Sequence, residues 1–334
     1  MDKQSSFKLL DAFYEAGGNF IDTANNYQNE SSECFIGEWM ETRGIRDQMV
    51  IATKYSFNYK LASPEIKYKT NYHGNNNKSM HLSLEASLKK LRTSYIDVFY
   101  VHVWDYETSI KEVMDNLHSF VVAGKVLYLG ISNTPAWIVS QCNQYAIDHG
   151  KTPFAVYQGS WNVMDRTFER EILPMAREHG MALCPWNVLA SGKLRSDAEE
   201  ERREKSGEMG RDIKIDDNGW KRTPAEKKMS NALEKVAKEV GVESVTAVAI
   251  AYLLHKAPYV FPLVGGRKVE HLHQNIKALT ISLTPAQIEY LESINSFDVG
   301  FPHTIVGDGS QPNGMFAMVS QTDRVPFQAP IRPT

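Results

Sequence analysis

Four residues of this 334-residue chain have types that could together handle a proton: Asp22, Tyr27, Lys54 and His102. Each sits at or just beyond the end of a short apolar run: residues 19–24 (NFIDTA), 49–55 (MVIATKY) and 96–102 (IDVFYVH). An unperturbed tyrosine has a pKa of about 10, too high for effective acid–base work near neutrality. A nearby lysine ammonium stabilises tyrosinate and lowers that pKa. An aspartate beside the lysine keeps it charged and in place, and a histidine can orient, or share a proton with, the same oxygen. Such a set suits protonation of a carbonyl oxygen while hydride arrives at its carbon. Taken singly, each residue has a plainer reading: Asp22 as a helix N-cap, Lys54 as a surface lysine, His102 as a hydrogen-bonded core histidine, Tyr27 as packing. Together at successive run ends they read as a site, because a buried Asp and Lys need partners.

The elements that must position them alternate. Further apolar runs lie at 126–132 (VLYLGIS), 154–160 (FAVYQGS), 181–187 (MALCPWN) and 260–266 (VFPLVGG). All are nearly continuously apolar, as expected of parallel strands buried on both faces. Helix signals fill the stretches between. Thr134-Pro135 reads as an N-cap followed by proline, and Thr223-Pro-Ala-Glu226 and Thr284-Pro-Ala-Gln287 as capping boxes. Gly17, Gly150, Gly180 and Gly241 stand where helices would stop. Leu82, Leu84, Leu88 and Leu91 form an apolar helical stripe. Before the first run there is only a helix, at about residues 5–16. Repeated β/α units mean a parallel sheet, open or closed into a barrel. Every run ends in polar or small residues: Thr53-Lys54, His102, Ser132-Asn133, Gln158, Trp186-Asn187 and Gly265-Gly266-Arg267-Lys268. Polar groups on every strand end favour a closed barrel, whose chemistry lies at that rim, over an open sheet that binds mainly at its switch point. Neither G-x-G-x-x-G after the first run nor G-x-x-x-x-G-K-[ST] is present.

Composition excludes several classes. An apolar fraction of 42% and a charged fraction of 23% are those of a globular protein. A net charge of -3 gives no reason to expect nucleic acid or an anionic membrane as partner. No run approaches the roughly 20 apolar residues of a membrane span, and the N-terminus lacks the h-region of a secretory signal. Three scattered cysteines, Cys34, Cys142 and Cys184, argue against a disulfide framework and for a reducing, cytoplasmic location. His271-x-His273 suggests no metal, since residues two apart on a helix face different sides. Three segments depart from the alternation: an exposed polar loop at 58–78, a charge-dense flap at 195–222, and an irregular tail at 297–334. The organisation expected is one domain at 1–296 followed by that tail.

With these residues in view, the chain resembles the aldo-keto reductase superfamily, and within it the fungal aryl-alcohol dehydrogenase and norsolorinic-acid-reductase-like branch. The stretches that carry the likeness are GGNFIDTANNYQNESSE, VIATKY, IDVFYVHVWD, GKVLYLGISNTPAW, VYQGSWNVM, GMALCPWNVLASGKL and FPLVGGRKVEHLHQNI. The resemblance implies an α/β fold, a (β/α)8 TIM barrel lacking here its first strand, that uses NADP(H) without a Rossmann domain. It implies Tyr27 as general acid, Lys54 and Asp22 tuning it, and His102 orienting the substrate carbonyl. Ser132, Asn133 and Gln158 would hold the nicotinamide carboxamide and Trp186 would stack on the ring. Asn187, Leu189, Ser191 and Lys193 would follow the pyrophosphate. Gly266, Arg267, Lys268, His271, Gln274 and Asn275 would surround the adenosine 2′-phosphate and adenine; Arg267 and Lys268 supply the charge a phosphomonoester needs.

The function expected is reduction of an aldehyde or ketone, an aryl aldehyde or a polyketide-type carbonyl, in fungal secondary metabolism. A pseudoenzyme or regulatory NADPH-binding module is the alternative, motivated by the missing strand, and a Schiff-base lyase using Lys54 is a third reading. The expected partner is a small carbonyl or alcohol, with self-association left open. Specificity is expected from loop 58–78, from Val103-Trp104-Asp105 and from residues 297–306, with Trp104 and Trp161 as candidate aromatic walls.

Overall fold

The computed structural model describes residues 1–207, 219–309 and 325–333. In chain order the principal elements are α1 (Lys3–Glu15), β1 (Phe20–Asp22), α2 (Ser31–Arg43), β2 (Val50–Tyr55), α3 (Asn77–Leu91), β3 (Ile96–Val101), α4 (Ile110–Val122), β4 (Val126–Ser132), α5 (Ala136–Asp148) and β5 (Phe154–Gln158). They continue with α6 (Phe168–Glu178), β6 (Ala182–Leu183), α7 (Asp197–Ser206), α8 (Pro224–Glu239), α9 (Val245–Leu254), α10 (Val269–Ile276), α11 (Pro285–Ile294) and α12 (His303–Val306). The fold is α/β, with the strand–helix alternation of a partial (β/α)8 barrel among the described residues. The chain divides into two compact units: Met1–Gln158 with Met175–Met181 and Gly266–Val269, and Gly159–Pro174 with Ala182–Gly265 and Glu270–Thr334.

In the first unit β1 to β5 pair in sequence order, all parallel. Parallel neighbours need a crossover, and here each crossover carries a helix. Ile51, Phe99, Leu129 and Ile131 are wholly buried, each contributing roughly 1.5–3 kcal/mol from apolar area removed from water. Gly130 is required where it stands: it pairs with Tyr100, and a Cβ there would come within 2.4 Å of the Tyr100 ring. Burial on both faces holds only over the C-terminal part of β4, since Leu127 and Tyr128 are 44% and 59% exposed. Phe20, Val50 and Val156 are likewise only partly buried. The apolar cover thus lies over the half of the sheet that leads to its polar ends. Because the strands are parallel, those ends share one edge.

Local cues fix the helix ends. The Asp2 side chain accepts from Ser5 N at 2.8 Å, so α1 starts at Lys3 and not at residue 5. The expected Thr134 cap is not formed. Its hydroxyl donates back to Ser132 O at 2.9 Å, and Pro135 takes the cap position of α5. Both capping boxes, at Thr223 and Thr284, are present. Loop 58–78 contains a short turn of 3-10 helix (Thr70–Tyr72) and is not wholly exposed: Tyr59 and Asn75 are buried.

In the second unit the expected strands at 181–187 and 260–266 are reduced to β6 and isolated bridges, Leu183 to Val260 and Ser160 to Trp186. Leu183 N donates to Tyr259 O, Phe261 N to Leu183 O and Leu263 N to Pro185 O. Pro185 and Pro262 have no N–H to offer between these bonds, which keeps the run from becoming a full strand. The charge-dense segment is not a loose flap where it is described. It forms α7, and Glu200 of that helix is buried between Arg195 (2.6 Å) and Arg222 (2.7 Å). Residues 208–218 of that segment lie outside the described residues. The tail contains α12, and its start is held by Arg170, which donates to the carbonyls of Asp298 and Val299. Residues 310–324 and 334 of the tail also lie outside the described residues. Trp161 is fully buried, stacked on Phe168 with centroids 4.9 Å apart, so it is packing and not an exposed wall. Among the described residues no helix is long and apolar enough to cross a membrane.

Candidate active site

The C-terminal edge of β1 to β5 collects Asp22, Lys54, His102, Ser132 and Gln158. Lys54 has no exposed side-chain surface, and its Nζ donates to Asp22 Oδ2 at 2.5 Å and to Thr23 O at 2.7 Å. The other Asp22 oxygen accepts from Gln158 Nε2 at 2.9 Å. Asp22 is therefore a partner of the lysine and not a helix cap; the cap position of α2 is Glu30. Breaking such a buried pair on one side strands a charge, which costs far more than the pair contributes.

Tyr27 follows β1 on a turn and stays 37% exposed. The Lys54 ammonium lies 5.1 Å from the centre of its ring. His102 meets the same ring edge-on at 5.8 Å, and Phe57 meets His102 edge-on at 4.6 Å. Burial first, and then the charge of Lys54, push the His102 imidazole down to about 3. It is thus neutral at physiological pH and takes part as a hydrogen-bonding group, not as a cation. Asn133, in the left-handed region (φ 46°), donates through Nδ2 to His102 O at 3.1 Å, while its N–H bonds Gln158 O at 3.1 Å. Ser132 Oγ and His102 Nδ1 are buried polar atoms with no hydrogen-bond partner among the described residues.

A network beside His102, whose N–H also bonds Tyr55 O at 3.0 Å, has little signal in the sequence. Ser56 Oγ accepts from His102 N at 3.3 Å and from Asn75 Nδ2 at 2.9 Å. Asn75 also donates to Val103 O and accepts from Asp105 N, while Asp105 Oδ2 accepts from Asn75 N. Burial raises the Asp105 carboxyl, but N–H bonds from Asn75, Thr108 and Glu107 outweigh it and hold the pKa below the usual value. This lock joins the loops that follow β2 and β3. The only signal was Asn75 within an Asn-rich run, which reads as solvated loop.

The remaining expected cofactor residues fall in two places. In the second unit Trp186 is half-buried, with its N–H on Gly159 O and its carbonyl accepting from Trp161 N. Asn187 accepts from Ser191 Oγ at 2.9 Å. Leu189 O receives the Gly192 N–H as the chain passes through left-handed Ala190 and Ser191. Lys193 is buried, with its Nζ on Lys221 O at 2.5 Å. His271, Gln274 and Asn275 share one face of α10 by their spacing, and Asn275 is the buried one. In the first unit Gly266, Arg267 and Lys268 are exposed.

Comparison with known proteins follows the same direction. The profile of the Aldo/keto reductase family matches residues 1–296. The chain is 60% identical over 335 residues to an aryl-alcohol dehydrogenase [NADP(+)] of Phanerodontia chrysosporium, covering 100% of this chain and 87% of the relative. It is 55% identical over 315 residues to the aldo-keto reductase ausK of Aspergillus calidoustus, covering 94% and 78%. It is 49% identical over 314 residues to norsolorinic acid reductase B of Dothistroma septosporum, covering 93% and 78%. The chain belongs to the aldo/keto reductase family. It is accordingly an NADP(H)-dependent oxidoreductase that interconverts carbonyl and alcohol groups.

Proposed function

We propose that Tyr27 is the general acid of this reductase and that its substrates are aryl aldehydes and aromatic, polyketide-type ketones. The observation that carries the first part is the buried Lys54 ammonium, clamped by Asp22 and Thr23 O, beneath the half-open ring of Tyr27. The rim residues fit NADP(H): the buried, unpartnered Ser132 Oγ lies at the strand end beside Asn133 and Gln158, a donor and acceptor set suited to a carboxamide. Ser132, Asn133 and Gln158 would hold that end of the cofactor, and exposed Arg267 and Lys268 would neutralise its 2′-phosphate. When bound, the cofactor supplies a hydride to the carbonyl carbon. Tyr27 donates its hydroxyl proton to the carbonyl oxygen. Lys54 stabilises the tyrosinate that results, and Asp22 keeps the lysine charged and aimed. Neutral His102 orients the carbonyl by a hydrogen bond, without competing as a charged acid.

The aromatic preference rests on Tyr27 and Phe57, both with exposed ring surface and both edge-on to His102. The names of the relatives, aryl-alcohol dehydrogenase and norsolorinic acid reductase, point to the same substrate class. We read residues 1–296 as the catalytic part and 297–334 as an appended segment, and place the protein in the cytosol, in keeping with its free cysteines. Consumption of NADPH with a panel of aryl and aliphatic aldehydes tests the proposal. A kcat/KM for aryl aldehydes at least about tenfold higher supports it, since burying one ring is worth more than that factor. Equal rates on both classes would remove the aromatic assignment.

A further inference from the structure

We propose that Lys90, a residue of α3 outside the proton-handling set, is a positioning residue that holds Tyr27 and Lys54 in mutual register. The turn bearing Tyr27 continues through Gln28, Asn29 and Glu30 with φ of 50°, 52° and 73°. Three consecutive non-glycine residues in the left-handed region make a sparsely populated conformation, one that persists only where the surroundings hold it. Lys90 supplies the hold. Its Nζ donates to Asn25 O at 3.0 Å and to Glu30 Oε2 at 3.1 Å, and lies 2.7 Å from Glu33 Oε2. Asn25 is two residues before Tyr27, Glu30 three after it, and Glu33 lies in the first turn of α2 with no exposed side-chain surface. The other Glu33 oxygen accepts from Thr53 Oγ1 at 2.6 Å, one residue before Lys54, and Asn25 N bonds Lys54 O at 3.1 Å. One ammonium thus ties both flanks of the Tyr27 turn and, through Glu33, the backbone that carries Lys54.

A lysine in the last turn of a helix also has a plainer use, to complement the helix dipole. Lys89 and Lys90 both lie in that turn. Lys90 is set apart by its contacts outside α3, to Asn25 O, Glu30, Glu33 and the face of the Tyr59 ring at 5.1 Å. The approach of the two helices is tight enough to allow this. A Cβ on Gly37 of α2 would fall 2.3 Å from Lys90 O, so only glycine fits there. Lys60 adds a second cation on Glu30 at 2.6 Å, which links loop 58–78 to the same turn.

The inference rests on Tyr27 being the acid, and its test separates the two. Lys90→Met, Tyr27→Phe and the double variant are compared for kcat, KM and NADPH binding in the full chain. Lys90→Met is expected to lower kcat by about 10²-fold, the loss that a displacement of roughly 1 Å produces, with KM and the NADPH Kd changed less than about threefold. In the Tyr27→Phe background it is expected to cost nothing further, because a residue acting through Tyr27 has nothing left to position. A folded Lys90→Met with wild-type kcat, or losses that multiply in the double variant, would overturn the role of Lys90 and leave the acid standing. An active Tyr27→Phe overturns the acid and this inference with it. Should Lys90→Met fail to fold, because Glu33 is left as an unpaired buried charge, Glu30→Gln keeps that pair. The same fall in kcat at unchanged NADPH affinity is then expected, and an unchanged kcat counts against the proposal.

Discussion

Burial and the Lys54 charge hold the His102 imidazole near 3, while an unfolded histidine titrates at about 6.5. Between those values the unfolded chain binds a proton that the folded chain refuses. The stability His102 contributes is therefore complete above about pH 6.5 and is lost as pH falls toward 3, by at most about 1.4 kcal/mol per pH unit. Replacing His102 with Gln should flatten the fall in Tm between pH 6.5 and 4 relative to wild type; parallel curves would mean the imidazole is not held neutral. The same residue should contribute no limb near its ordinary pKa to the pH–rate profile. Lys54→Met, which leaves Asp22 the Gln158 amide as its side-chain partner among the described residues, should lower kcat by about 10²–10⁴-fold, the usual range for an acid–base partner, while NADPH still binds. That Asp22, Tyr27, Lys54 and His102 lie together could be read from sequence because their types are chemically unusual at the ends of apolar runs. Ser56 and Asn75 could not. Their part depends on burial and on bonds between segments 19 and 28 residues apart, and a polar loop looks the same with or without them.

The lock between the loops after β2 and β3 makes its own prediction. Asn75→Ala removes the acceptor of the Asp105 N–H and both donors spent on Ser56 and Val103. Leaving buried polar groups unpaired costs about 1–3 kcal/mol each, so Tm should fall measurably and KM should rise, because Ser56 Oγ, which accepts from His102 N beside Tyr55 O, loses the amide that holds it. An unchanged Tm would mean the loop is held by other contacts. Elements set by neighbours in the chain were legible: Thr223 with Glu226 and Thr284 with Gln287 cap their helices as their spacing predicts. Elements set by distant partners were not. Glu200 looked like part of a solvated run because Arg222, which neutralises it with Arg195, is 22 residues away. The start of α5 moved because Ser132 O takes the Thr134 hydroxyl. The sixth and seventh apolar runs stayed short of full strands because Pro185 and Pro262 remove ladder donors.

For the molecule as a whole, family and fold give carbonyl reduction with NADP(H), and binding of that cofactor to the folded state alone must stabilise it by mass action. NADPH should raise Tm more than NADH at equal concentration, and Arg267→Ala with Lys268→Ala should abolish the difference; a difference that survives would place the 2′-phosphate contacts elsewhere. The central claim remains the proton donated by Tyr27. The most direct measurement is kcat for reduction of an aryl aldehyde by wild type and by Tyr27→Phe, with NADPH affinity measured on both. The expected result is turnover lost by about 10²-fold or more in the variant at unchanged NADPH affinity. Turnover retained with NADPH still bound would contradict the account and take the acid role from Tyr27.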